Sequence, residues 1–331
     1  MNQPKPILGV EITGVGIGLP RESLTNQVFI DRYGPVYKDG VAVAASDVER
    51  WTGVQSRYIC AEDETLADLV TDASLEAAKD ANLPLGAEIG KLLLGTATSH
   101  KYRETPGTHI SVQRRLTEVG YPTLTSDQSD CACASFVNRW IDAYRHFLTG
   151  EIDRAVVAGG DTVSRLIDKR NADTLMMADG AAAVLMERSD SDSGVLSYYQ
   201  STDGSFENQL VTEVGGSLEM RDGFELARES ARRMIAGAKQ VLEWADVNLE
   251  QVAIVIPHQA NSNIIEMVRK RLKIEPDRMM VTVNKFGNTS SGSVPMALHQ
   301  ARRDGRINRG DLVLATSVGT GLNTEVALVR W

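Results

Sequence analysis

The chain has 331 residues, 42% hydrophobic and 24% charged, with 35 basic against 44 acidic side chains for a formal charge of −9. That length buries a core without disulfide or metal staples, and the ordinary globular composition excludes a disordered chain. The acidic balance offers no field for nucleic acid, and no apolar run approaches the roughly 18 residues of a membrane span. In chain order, an apolar strand opens the first half over 8–17; it carries Glu11 and no small-residue cleavage signal, so no secretory leader is expected. An amphipathic helix follows over 64–82, with Leu66, Leu69, Val70, Ala73 and Ala77 at helical spacing. Then come a buried strand over 91–96, a helix over 106–119, a strand over 123–127 and a helix over 133–148. Two strands, 155–158 and 181–186, end this half.

A polar run over 187–194 reads as a surface connector, and after it the same order returns. The second half has a strand over 195–200, a long helix over 224–244, a buried strand over 252–256 and a basic helix over 263–272. A strand over 280–284, a helix over 294–303, and strands over 312–316 and 324–329 complete it. Helices alternating with short β-branched runs imply an α/β fold with helices covering sheets. The pattern divides the chain into two pseudo-equivalent halves, 1–190 and 191–331, although two unrelated α/β halves would also satisfy it.

Three cysteines make no even disulfide framework, and a reducing cytoplasm is their simplest home. Cys133 lies in Asp130-Cys131-Ala132-Cys133-Ala134-Ser135-Phe136, at a strand-to-helix turn. A thiol at a helix N-terminus meets free backbone N–H groups and the positive dipole end, which favour the thiolate. Cys131 and Cys133 could equally be small buried core residues. Cys60 is remote and no His or Cys cluster completes a ligand set, so no metal is expected.

His258, in Pro257-His258-Gln259-Ala260-Asn261, follows a buried strand at the end where α/β sheets place ligands. His100 holds the corresponding place in the first half, while His109, His146 and His299 fall on helices. Asn288 lies in Gly287-Asn288-Thr289-Ser290-Ser291-Gly292-Ser293-Val294-Pro295, where the proline suits the first turn of a helix. Taken singly, the histidine could be structural and the asparagine a turn residue. Gly159-Gly160-Asp161, Asp179-Gly180 and Val318-Gly319-Thr320-Gly321-Leu322 are glycine turns without phosphate-loop spacing.

Taken together, the Ala132–Phe136 segment, the Pro257–Asn261 segment, the Gly287–Ser290 segment and the C-terminal glycine loop resemble the β-ketoacyl-acyl-carrier-protein synthase III family. Trp51-Thr52-Gly53-Val54-Gln55-Ser56-Arg57, Asp179-Gly180-Ala181-Ala182-Ala183 and Ala327-Leu328-Val329-Arg330-Trp331 extend the resemblance over essentially the whole chain. It implies a thiolase fold, a duplicated five-layered α-β-α-β-α sandwich assembled as a homodimer. It implies that Cys133 takes an acyl group from a thioester donor, with the amides of Cys133 and Thr320 as the oxyanion hole. His258 and Asn288 would then stabilise the enolate formed when a malonyl-carrier thioester loses carbon dioxide. No cofactor is implied beyond thioester substrates carried on coenzyme A or acyl-carrier protein. Arg269, Lys270 and Arg271 match the family's basic carrier-docking face, or form a solvated basic helix face.

The chain also departs from the family. The tryptophan and arginine that usually sandwich the coenzyme A adenine align with Asp47 and Ala172, and a usual arginine is replaced near Asn263. The glycine loop reads Gly319-Thr320-Gly321-Leu322 in place of Gly-Gly-Gly-Phe. These departures shift the expected donor from acetyl-coenzyme A towards a carrier-bound or specialised-metabolite acyl group. Two alternatives stay open: acyl transfer without condensation, and head-to-head condensation of two acyl thioesters with Glu104 as a base.

Overall fold

The computed structural model describes residues 3–38, 40–98, 106–212 and 218–331. The strand expected over 8–17 is cut in two at Gly9, whose φ of +76° is a left-handed conformation that favours glycine. The result is β1 (Ile7–Leu8) and β2 (Val10–Gly18), which enter different sheets. A satellite follows: β3 (Ser23–Thr25), α1 (Asn26–Tyr33), β4 (Tyr37–Lys38), β5 (Val41–Ala42), α2 (Ala45–Thr52) and β6 (Ser56–Tyr58). It gathers its own small core around Leu24, Phe29 and Val48.

Next is α3 (Leu66–Asp80), which starts two residues later than its apolar spacing suggests. Thr65 caps it: its hydroxyl accepts the Asp68 N–H at 3.2 Å while the Asp68 carboxylate accepts the Thr65 N–H at 2.6 Å. Then come β7 (Ile89–Gly95), α4 (Thr108–Val119), β8 (Thr123–Ser129), α5 (Ser135–Leu148), β9 (Arg154–Thr162) and β10 (Asp179–Arg188). The second half holds β11 (Gly194–Phe206), the hairpin β12 (Leu210–Thr212) with β13 (Leu218–Met220), α6 (Gly223–Ala245) and β14 (Val252–Pro257). It ends with α7 (Ser262–Leu272), α8 (Val283–Phe286), α9 (Ser293–Arg303), β15 (Leu312–Gly319) and β16 (Gly321–Arg330).

Two five-stranded sheets result, in the orders β2-β10-β9-β7-β8 and β1-β11-β16-β15-β14. Leaving out the edge strands β1 and β8, the rest match one to one, with the same parallel and antiparallel neighbours. Alternate residues sort the layers. On β7, Leu92 and Leu94 face the outer helices α3 and α4, while Leu93 faces inward. On β15, Leu314 faces outward to α6 and α7, while Val313 and Ala315 face inward. Between the sheets lie α5 and α9, whose Phe136, Trp140, Val294 and Leu298 join residues of both sheets in one core. The architecture is the five-layered α-β-α-β-α sandwich of the thiolase fold.

One expected element is absent. Residues 280–284 form no strand; beside β14 only an isolated bridge between Val255 and Met279 remains, and the chain turns into α8. The side chain of Gln259 explains the turn, because its Oε1 accepts the N–H groups of Thr282 and Val283 at 2.7 and 3.2 Å. Those donors are thereby withdrawn from any ladder. The fifth strand of this sheet comes instead from β1, on the opposite edge. Among the described residues no helix is long and apolar enough to cross a membrane.

Candidate functional site

Cys133 sits in the turn from β8 to α5, two residues before the helix begins. The turn is held by its own side chains. Asp130 accepts the Ala132 N–H at 2.8 Å, and Ser135 Oγ accepts the Cys131 N–H at 2.8 Å while donating to the Ala132 carbonyl at 2.6 Å. Ala132 takes a φ of +51°, a left-handed conformation uncommon for alanine. The Cys133 carbonyl accepts a hydrogen bond from Ser317 Oγ at 3.0 Å, which fixes the turn against β15. The residue as a whole is half-buried, while its thiol faces inward. Contrary to the expectation of a lowered pKa at a helix start, burial pushes it up to about 11, with Asp161 and Asp130 adding to the rise. Cys131 is also pushed up to about 11 by burial, and Cys60 is raised further by burial and by Asp179.

His258 follows β14 directly, its N–H bonded to the Thr316 carbonyl at 2.8 Å. It is 5% exposed, and burial lowers its pKa to about 4, so the imidazole is neutral at physiological pH. Ser293 Oγ lies 2.6 Å from Nδ1 and also accepts the Gln259 N–H at 3.3 Å. A serine oxygen engaged by that N–H is free to donate its own hydrogen to Nδ1. That arrangement is compatible with the tautomer protonated at Nε2, which places a donor on the ring's other side. Gln259 anchors the strand end, donating to the Pro257 and Met280 carbonyls at 2.7 and 3.2 Å.

Asn288 is held by backbone on both sides: its N–H donates to the Met176 carbonyl at 2.8 Å and its carbonyl accepts the Ala178 N–H at 2.9 Å. Its Oδ1 accepts the Ser290 N–H at 2.9 Å, which leaves the Nδ2 amide as the group to face the cavity. Asp161, fully buried at the end of β9, gathers this loop onto the first half. One of its oxygens accepts from Thr96, Ala97 and Thr98, and the other accepts from the Ser291 N–H and hydroxyl at 2.9 and 2.6 Å.

Cys133, His258 and Asn288 line one cavity of about 150 Å³, with Thr320 beside them and apolar walls from Met176, Leu226 and Met234. The Thr320 loop packs against the cysteine turn, and Gly319 permits it: a Cβ there would lie 2.0 Å from the Cys131 carbonyl oxygen. A second cavity of about 270 Å³ also opens on Cys133 and Thr320, walled by Val163, Leu166, Met177 and Leu218. The nucleophile candidate thus stands where two cavities meet. Sequence reasoning missed Ser290, Ser293, Asp161 and Ser317; serines and aspartates inside recognisable motifs carry no periodic signal that separates a site from a turn.

The basic segment of α7 divides in use. Arg269 is spent on a bidentate pair with Glu266 and on the Ile274 carbonyl at 2.8 Å. Lys270 is 71% exposed and reaches the same Glu266 at 3.3 Å, and Arg271 lines a groove between α6 and α7 with Arg228, Lys239, the apolar Met267 and the Arg232–Glu229 pair. His109 and His146 lie on helices α4 and α5 as expected, and His299 on α9, bonded to Glu76 at 3.4 Å. His100 and Glu104 lie outside the described residues.

Comparison with known proteins adds relatives to this geometry. The family model for 3-oxoacyl-[acyl-carrier-protein] synthase III matches residues 128–204, and that for its C-terminal region matches residues 242–331. The β-ketoacyl-[acyl-carrier-protein] synthase III of Aquifex aeolicus is 33% identical, covering 98% of this chain and 100% of that protein. The corresponding protein of Agrobacterium fabrum is 31% identical over 97% of this chain and 98% of its own. The crystal structure of the Aquifex aeolicus synthase superposes with a TM-score of 0.87 at 32% identity, covering 98% of this chain and 100% of that one.

Proposed function

Because the chain belongs to the 3-oxoacyl-[acyl-carrier-protein] synthase III family and is a condensing acyltransferase of that type, we propose that Cys133 is the residue that carries the acyl group. The observation that supports this most is the meeting of Cys133, His258 and Asn288 on one cavity, brought from three separate strand ends and loops. In the first half-reaction the sulfur attacks a donor thioester, and the backbone N–H groups of Cys133 and Thr320 receive the oxyanion. The larger apolar cavity beyond Cys133 then houses the acyl chain, whose source is coenzyme A or a carrier protein.

In the second half-reaction a malonyl-carrier thioester enters beside His258 and Asn288. Loss of carbon dioxide leaves an enolate, and two neutral donors, the His258 Nε2–H and the Asn288 amide, meet its oxygen. The enolate carbon attacks the acyl-Cys133 thioester, the cysteine leaves as thiolate, and a 3-oxoacyl thioester forms. No base is needed, because decarboxylation itself supplies the carbanion, and no cofactor beyond the thioester carriers enters the scheme. The paired donors favour condensation over simple acyl transfer, which has no enolate to stabilise.

The acidic carrier protein docks on the groove between α6 and α7, where Lys270, Arg271 and Arg228 present positive charge on a chain of net −9. The active form is a homodimer paired through the open edge of β8, and the enzyme works in the cytoplasm. Intact mass measurement after incubation with a panel of acyl-coenzyme A and acyl-carrier donors tests the reading. Wild type gains the mass of one acyl group, Cys133→Ala gains none, and Cys131→Ala and Cys60→Ala behave as wild type. Loading that survives in Cys133→Ala and disappears in Cys131→Ala would transfer the role.

A further inference from the structure

Cys133 faces a difficulty that the scheme above leaves open. Burial resists ionisation of its thiol, and the charges bearing on it, Asp161 from β9 and Asp130 from its own turn, are both negative. His258, the titratable group on the same cavity, is neutral and engages Ser293 through Nδ1. The positive end of α5 is one source of support. The structure holds a second. Ser290 Oγ lies 3.4 Å from Cys133 Sγ, positioned to donate its hydrogen to the sulfur.

This contact is built into the loop. Ser290 adopts a φ of +52°, a left-handed conformation that serine rarely takes. It is 5% exposed. The residue before the turn and the residue after it are both tied: Asn288 Oδ1 accepts the Ser290 N–H, and Asp161 accepts the N–H and hydroxyl of Ser291. The same aspartate holds the 96–98 segment, so the loop is pinned to the half of the molecule that carries Cys133. Ser290 also lines the larger cavity, beside the sulfur.

We propose that Ser290 is a further catalytic residue, whose hydroxyl donates to the Cys133 sulfur and stabilises the attacking thiolate. This rests on Cys133 being the acyl-carrying residue. Cys133 gives its proton to water, and the sulfur lone pair forms the new bond to the acyl carbon. The donor's carbon–sulfur bond then breaks, and the departing thiolate takes up a proton to leave as a thiol. A hydrogen bond to the charged form lowers a pKa, and one removed from a buried thiolate raises it.

The test is the pH dependence of iodoacetamide alkylation at Cys133, followed by peptide mass, in wild type, Ser290→Ala and Ser290→Gly. Glycine suits the left-handed backbone and keeps the fold where alanine strains it. The midpoint of alkylation is expected to rise by about one pH unit in both variants, with acyl loading at pH 7 falling about tenfold. Decarboxylation of the malonyl thioester, which depends on His258 and Asn288, is expected to change less. An unchanged midpoint, or a loss of reactivity equal at every pH, would overturn the assignment. Acyl loading that persists in Cys133→Ala would remove its premise instead, and alkylation at Cys133 would still report the serine's effect on the thiol.

Discussion

In the proposed scheme Asn288 and His258 are both donors to the enolate oxygen, but they are held differently, and that sets what their variants are expected to do. Asn288 presents its amide because its own oxygen is occupied by the Ser290 N–H. Removing one preorganised donor from a developing oxyanion costs about 2.7–4 kcal/mol, or 10²–10³ in rate. Asn288→Ala is therefore expected to accept an acyl group, visible as a mass shift, while releasing labelled carbon dioxide at least about a hundredfold more slowly. His258→Ala behaves likewise. Its pKa near 4 keeps the wild-type imidazole uncharged from pH 5 upward, so the donor role does not titrate in the working range. An Asn288→Ala protein that decarboxylates normally and cannot be acylated would place the asparagine on the thiol side and favour acyl transfer without condensation.

At the scale of elements, α7 shows why three adjacent basic residues are not equivalent. One helical turn carries Glu266 under Arg269, and the pair closes with the Ile274 carbonyl into a local clasp at the helix end. Arg269 is thus a helix-terminating residue, and the exposed charge sits on Lys270, which shares the Glu266 carboxylate at 3.3 Å, and on Arg271. Lys270→Glu with Arg271→Glu is expected to raise KM for carrier-bound substrate and to flatten its dependence on salt, because attraction between surface charges is screened over about 8–10 Å. The same double variant should leave loading from acyl-coenzyme A within about twofold, which steady-state kinetics with both donors would read. Carrier kinetics that do not change would place docking elsewhere. Arg269→Ala is expected to lower thermal stability more than it alters carrier KM, since it removes a helix clasp.

For the whole molecule, the duplicated sheets leave their two edges unequal. β14 ends its sheet with an isolated bridge to Met279, which occupies part of that edge. β8 ends the other sheet with no further strand beside it among the described residues, and it carries Leu124 at 60% exposure. An open strand edge is a ready template for a second chain, and two-fold pairing across β8 would join the sheets of two protomers. Leu124→Arg is expected to shift the protein from dimer to monomer in size-exclusion chromatography with light scattering, with the circular dichroism spectrum unchanged. A dimer that persists at micromolar concentration in this variant would move the interface off β8.

The sequence by itself determined the layers and the duplication, and it singled out the three residues that fold onto one cavity. Apolar periodicity marks α3, α5, α6 and α9, and β-branched runs mark the central strands, because burial there follows directly from residue type and spacing. Cys133, His258 and Asn288 were legible because each sits in a motif with its own order and composition. The tertiary structure alone decided the rest. Residues 280–284 have a strand's composition, yet Gln259, far away in sequence, takes the amides a strand would use. Gly9 gives one apolar run to two sheets, which no window along the chain reveals. The thiol's ionisation is the sharpest case: a helix start favours the thiolate locally, while burial and the Asp161 carboxylate brought in by folding oppose it, with Asp130 of its own turn adding to the effect. Hydrogen bonds and desolvation depend on what lies across space, and sequence order records only what lies along the chain.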